Sequence, residues 1–173
     1  MSMSEVDVRA ERFADDGSIP NNPDLPLLLY PGALQEHDAE SDGCTALFDR
    51  NGWGGAWVDG VYSYHHYHST AHEVLGVVGG SAWLILGGPK GIEVEVGHGD
   101  VIVIPAGVGH CNKDAGPDFS VVGAYPHGQT WDLLTGKPDE RPRALENIAQ
   151  VPLPRTDPVF GTDGPLVQTW LRS

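Results

Sequence analysis

The chain has 173 residues, with 10 lysines and arginines against 24 aspartates and glutamates, and a net charge of −14. That length suits one domain with its own core. The acidic balance excludes the basic surface that binds nucleic acid or an anionic membrane, and 23 glycines with 14 prolines in no period favour many turns and an all-β fold. Residues 1–52 read as an N-terminal arm packed on a central barrel. The first residues hold no apolar run of signal-peptide type, and no apolar run approaches the length that spans a bilayer. With only Cys44 and Cys111, a disulfide framework is excluded and a reduced, cytoplasmic setting is expected. Leu25–Tyr30 is an apolar stretch holding Pro26, which confines it to an edge strand or extended clip. Ser41–Asp42 is expected to cap a short helix carrying Ala46, Leu47 and Phe48 and ended by Asn51–Gly52.

From Trp53 onward, short β-type runs recur between glycine-rich turns. Strands are expected near 55–58, 61–68, 73–78, 81–86, 92–96, 101–104 and 119–125, with a loop over 105–118. Such spacing implies an antiparallel sandwich or barrel over 53–126. Ile92-Glu-Val-Glu-Val96 alternates cleanly, so Glu93 and Glu95 mark a wet face. Residues 127–173 read as a proline-rich extension wrapping the barrel, with a helical turn or two over Arg143–Gln150 and a last strand over Leu166–Leu171.

Four of the 8 histidines fall between positions 65 and 72. Side chains on a strand alternate faces, so Tyr62, Tyr64, His66 and His68 share one face, and the two imidazoles stand about 7 Å apart along it. Ser69-Thr70-Ala71 is a polar turn, after which Glu73 comes back beside the histidines. His110 leaves the apolar strand 101–104 through a proline-glycine stop and offers a fourth donor. A carboxylate with neutral imidazoles suits manganese, iron, cobalt, nickel, copper or zinc. Tyr62 and Tyr64 are candidates to line a substrate pocket. His65 and His72 lie on the opposite faces, and His127 reads as a solvated loop residue. Cys111 reads as a small buried thiol rather than the nucleophile of a dyad with His110.

These marks resemble the cupin superfamily. Gly60, five residues, His66-Tyr67-His68, four residues, Glu73, six residues and Gly80 match its first motif throughout. Gly99, five residues, Pro105-Ala106-Gly107, two residues and His110 match the second, whose closing asparagine is here Asp114. The resemblance implies a double-stranded β-helix, the jelly-roll-like barrel. It also implies one divalent transition metal held by His66, His68, Glu73 and His110 with a coordination position left open. Pro23-Asp-Leu-Pro-Leu-Leu-Leu-Tyr30, Asn51-Gly-Trp-Gly-Gly55, Val121-Val-Gly-Ala-Tyr-Pro126 and Val151-Pro-Leu-Pro154 are further similar to the YjlB-type bacterial cupins.

The expected function is metal-dependent chemistry on a small molecule, of oxygenase or oxidase type. The alternatives are a small-ligand binder without turnover, a metal-dependent isomerase and, last, a metal-free epimerase-like protein with a histidine base. A homodimer is expected, with the apolar arm at 25–30 covering a sheet edge in its own subunit or a partner's.

Overall fold

The computed structural model describes residues 7–172. The first six residues, which belong to the expected arm, and Ser173 lie outside them. The elements in chain order are β1 (Arg9–Glu11), β2 (Leu27–Tyr30), α1 (Ser41–Arg50), β3 (Trp53–Asp59), β4 (Glu73–Gly79), β5 (Ser81–Leu86), β6 (Ile92–Gly97), β7 (Val101–Ile104), β8 (His110–Ala115), β9 (Ser120–Pro126) and α2 (Arg143–Gln150). Six strands form one antiparallel sheet in the order β1-β2-β7-β4-β9-β3, and β6-β5-β8 form a second. The turn spacing implies an antiparallel sandwich or barrel, and this is the jelly-roll form of it that the family resemblance implies. Among the described residues, no helix is long and apolar enough to cross a membrane.

Strands β2, β7, β4 and β9 of the larger sheet are buried on both faces, and the period of two sorts their residues. Leu27, Leu29, Leu75, Val77, Ile102 and Ile104 face inward against Leu84, Leu86 and Val96 of the smaller sheet. Leu28, Tyr30, Val74, Val101 and Val103 face outward against α1 and the C-terminal segment. Glu73 continues the inward series of Leu75 and Val77, so alternation alone points a carboxylate into the barrel. The apolar arm serves its own chain: β2 pairs antiparallel with β7. Asp100 fastens that junction, accepting the Gly32 N–H at 2.8 Å and the Gly97 N–H at 2.8 Å.

A buried carboxylate ties down the C-terminal extension. Asp157 accepts the Tyr30 hydroxyl at 2.6 Å and the Leu166 N–H at 3.0 Å. The Val159 and Phe160 N–H groups donate to its other oxygen. Burial pushes the Asp157 carboxyl above the ordinary range against the pull of these donors.

The structure corrects four readings of the sequence. Residues 61–68 are not a strand. Gly60 ends β3, and the segment crosses the open end of the barrel pinned to several partners in turn. The Tyr62 carbonyl accepts the Asn112 N–H at 2.8 Å, His66 pairs with His110, and Tyr67 pairs with Leu134. The expected loop 105–118 contains β8, whose polar sequence His-Cys-Asn-Lys-Asp-Ala hid an edge strand that pairs with β5. The expected last strand is instead a helical turn, Val167–Leu171, that buries Leu166, Val167 and Trp170 on one side. Short apolar runs do not distinguish the two states. Glu40, not Ser41 or Asp42, stands at the cap position of α1, and no side chain caps it.

Gly76 lets α1 lie directly on β4. A Cβ there would stand 2.6 Å from Cys44 Sγ and 2.9 Å from Phe48 Cζ. Gly76→Ala is expected to cost about 1–3 kcal/mol through overpacking, a fall of roughly 2–4 °C in Tm per kcal/mol for a chain of this size. Gly60→Ala, in open space without a positive φ, is expected to leave Tm unchanged. Thermal unfolding of the two variants checks the contrast.

Candidate metal centre

Three elements deliver the site. His66 and His68 lie on the crossing segment, Glu73 begins β4 and His110 begins β8. His66 and His110 exchange backbone hydrogen bonds, at 2.9 Å from the His110 N–H and 3.2 Å from the His66 N–H, which brings their rings to a centroid separation of 4.1 Å. His68 is fixed by the tight turn at Gly107, whose N–H donates to the His68 carbonyl at 2.7 Å. That glycine has φ +92°, and a Cβ there would stand 2.5 Å from the Asn21 carbonyl oxygen, so only glycine fits. Although the segment is not a strand, its extended backbone keeps the alternation. His66 and His68 turn to the interior, while Tyr67 turns the other way to Ile19 and Ala144.

The ligating nitrogens of His66, His68 and His110 lie within 4.8 Å of one another, and all three residues are buried. Each ring is oriented by a backbone carbonyl. The His66 Nδ1–H donates to Tyr64 and the His110 Nδ1–H to Val108, both at 3.1 Å, and the His68 Nδ1–H donates to Asp132. A carbonyl oxygen only accepts, so Nδ1 carries the proton in each ring. In the neutral imidazole Nε2 is then a lone pair aimed at the centre. Glu73 Oε1 stands 3.4 Å from His68 Nε2 and 3.2 Å from His110 Nε2.

The electrostatics follow from this crowding. Burial, then the neighbouring charges of His110 and His68, push the His66 imidazole down to about 3. Burial alone would lower His68 too, but the Glu73 carboxylate beside it carries its pKa above the ordinary histidine value. Burial alone would raise Glu73, yet its two imidazole neighbours hold it far below the usual carboxylate range. A buried anion facing three converging lone pairs is a donor set that fits a divalent transition metal.

Of the sequence-level candidates, Tyr62 lines the cavity over the histidines. Tyr64 lies outside its lining, stacked on Tyr62 at a centroid distance of 4.9 Å. His72 is buried on the far side, where its Nδ1 accepts the Ala106 N–H at 2.9 Å and its ring rests on Trp170. His127 is exposed near Asp49. Burial pushes the Cys111 thiol up, the wrong direction for a nucleophile.

The structure adds residues that the motifs did not single out. Trp57 Nε1–H donates to the Tyr125 hydroxyl at 2.7 Å, and Tyr125 donates to Glu73 Oε2 at 2.8 Å. Trp131 stacks on Tyr125 and stands edge-on to His68. Asp132 accepts the N–H and hydroxyl of Ser69, and Asn147 of α2 donates to the Ser69 hydroxyl at 3.1 Å. An aromatic-acid pair, Trp131-Asp132, between two turn-rich stretches was the only signal for this part of the site.

Comparison with known proteins agrees with the geometry. The cupin family's sequence profile matches residues 60–129. The uncharacterised protein YjlB of Bacillus subtilis (strain 168) is 44% identical over 160 residues, which covers 92% of this chain and 94% of that protein. Among solved structures, an epimerase, RmlC, from Legionella pneumophila is 11% identical over 69% of this chain and 71% of its own, with a TM-score of 0.40. The oxalate decarboxylase of Bacillus subtilis is 17% identical over 64% of this chain, with a TM-score of 0.35, and this chain spans 22% of it.

Protein purified without a polyhistidine tag is expected to carry about one equivalent of a transition metal by elemental analysis. Alanine at His66, His68 or His110 should abolish that content. Tyr125→Phe, which releases both Glu73 and the Trp57 indole N–H, should lower metal affinity about 10–100-fold. His127→Ala should change nothing. A proton on His68 and a bound cation exclude each other, so affinity is expected to fall about tenfold per pH unit once pH drops below the His68 pKa. His66, neutral down to about 3, adds no further loss above that. Metal retention unchanged at a pH of about 4.5 would contradict histidine ligation.

Proposed function

The chain belongs to the cupin family, and on that premise we propose that it is a metal-dependent, oxygenase- or oxidase-like enzyme acting on a small molecule. In this reading His66, His68, Glu73 and His110 hold one divalent transition metal. The observation that carries it is the position of the four donors. They form the floor of a cavity of about 380 Å³ that opens to the surface past Trp57, Tyr62 and Trp131, so a ligand can reach them.

When bound, the metal would supply Lewis acidity and, if redox-active, electron transfer to or from a coordinated ligand. The protein's own groups would do the rest. The three backbone carbonyls hold each imidazole in one tautomer and orientation. Tyr125 keeps one Glu73 oxygen occupied and leaves Oε1 directed at the histidines. The aromatic walls exclude water from the reacting face, which strengthens every polar interaction there. Trp57 holds the Tyr125 hydroxyl with its proton toward Glu73.

The test is a small-molecule screen on protein reconstituted separately with manganese, iron, cobalt, nickel, copper or zinc, run in air and under argon. Turnover with a redox metal in air, lost under argon, is expected. Turnover that persists under argon would replace this reading with an isomerase. Ligand binding without turnover in either atmosphere would replace it with a binding protein.

We also propose a homodimer. Among the described residues β3 leaves one edge of the larger sheet unpaired, and an open strand edge invites pairing. Light scattering is expected to give twice the chain mass, and a monomer would exclude the dimer.

A further inference from the structure

Resting on the metal-site reading above, we infer that the ligand of this cavity is an uncharged aromatic ring bearing oxygen donors on one edge, and not a small dicarboxylate. The first ground is the wall. Two stacked aromatic pairs meet the floor of the cavity. Tyr62, backed by Tyr64 at 4.9 Å and 18°, stands edge-on to His66 at 5.2 Å. Tyr125 and Trp131, stacked at 6.2 Å and 22°, reach His68, with the Trp131 ring 5.6 Å from it. Flat faces of this kind favour a flat guest through offset-stacked and edge-to-face contacts. A cavity of about 380 Å³ is near the small end of ligand pockets, which run from about 300 to 1,000 Å³. One or two rings fill it.

The second ground is charge. The ionisable groups in the wall, besides the histidines, are Asp59 at the rim and Glu73 at the floor, together with the Tyr62 and Tyr125 hydroxyls. No lysine or arginine lines the cavity among the described residues. The chain as a whole carries −14. A dianion would approach against this field and, once inside, would find no guanidinium or ammonium partner for the carboxylate that does not reach the floor. The third ground is the hydrogen-bond inventory. The Trp57 N–H is spent on Tyr125, and the Tyr125 O–H on Glu73. Few side-chain donors remain for a polar ligand, whereas ring oxygens directed at the metal that His66, His68, Glu73 and His110 would hold need none. Asp59 thereby becomes a specificity residue, since its carboxylate at the entrance turns anions away.

The experiment is tryptophan fluorescence quenching, with zinc as the loaded metal because it has no redox chemistry. Catechol, phenol, benzoate and oxalate are titrated into zinc-loaded and metal-stripped protein. Catechol is expected to bind the zinc form at least about tenfold tighter than oxalate, a gap of about 1.4 kcal/mol. Phenol is expected to quench both forms, because the aromatic walls do not depend on the metal. Trp131→Ala should weaken catechol and phenol about tenfold. Asp59→Asn should raise benzoate affinity about 3–10-fold while leaving phenol unchanged. Trp131 and Asp59 are both exposed, so both variants should fold, and circular dichroism checks this. Oxalate binding as tightly as catechol, or phenol failing to quench either form, would overturn the inference. If the protein takes up no zinc, the metal reading fails separately. Phenol quenching that depends on Trp131 would still support the aromatic cavity, and its absence would still overturn it.

Discussion

Four buried acceptors face one another. The Nδ1–H of each of three imidazoles is committed to a main-chain carbonyl, so their Nε2 lone pairs converge on a carboxylate that is itself almost fully buried. Such a cluster is costly unless something positive sits within it, because buried polar groups must be paired and buried charges compensated. A proton on His68 is the partial answer available to the metal-free chain, and a divalent cation is the complete one. The remaining architecture exists to hold these groups in place against their mutual repulsion. The His66–His110 backbone pair, the Gly107 turn and the first residue of β4 are three independent anchors, each rigid for its own local reason.

The C-terminal extension belongs to this machinery as much as the barrel does. The Asp132 carbonyl orients His68, while the Asp132 carboxylate takes both donors of Ser69, the residue immediately after it. Asn147 then links Ser69 to α2. Farther along, Asp157 knots the extension to Tyr30 of the arm. The two flanking segments are thereby joined across the outer face of the larger sheet, where Trp170 also donates its indole N–H to the Pro26 carbonyl at 2.9 Å. Displacing the segment around Asp132 would release the His68 ring without touching the barrel.

The legible part of the sequence was the part governed by period and turn chemistry. The strands from Glu73 to Ile104 alternate between two apolar faces or between wet and dry, and glycine separators mark their ends, so the barrel could be read from pattern. The candidate ligands were legible because His66-x-His68, Glu73 and His110 sit at fixed offsets from those same glycines. What escaped was set by tertiary contact. The segment 61–68 has strand-like composition but takes its hydrogen bonds from β8 and Leu134 rather than from one neighbour. β8 is too polar to announce itself beside a proline-glycine turn. Leu166–Leu171 offers six residues whose apolar content fits strand or helix, and packing under Trp170 decides for helix. Trp57, Trp131 and Asp132 carry no motif at all, and only the fold brings them to the histidines.

The irregularity of the crossing segment shapes the candidate site. A regular strand over 61–68 would have given its backbone to one partner along its length. This segment is pinned at separate points, yet its extended backbone still turns His66 and His68 to one side, with their rings at a centroid distance of 5.6 Å. Freed from a continuous ladder, it also leaves Tyr62 and Tyr64 at the surface, where a fully paired strand would have had to bury or abandon them. The loss of ladder hydrogen bonds in this segment is set against the two apolar clusters on either side of the larger sheet. The buried strands β2, β4, β7 and β9 thus form the packed frame, and the site draws His66 and His68 from a segment outside its ladders.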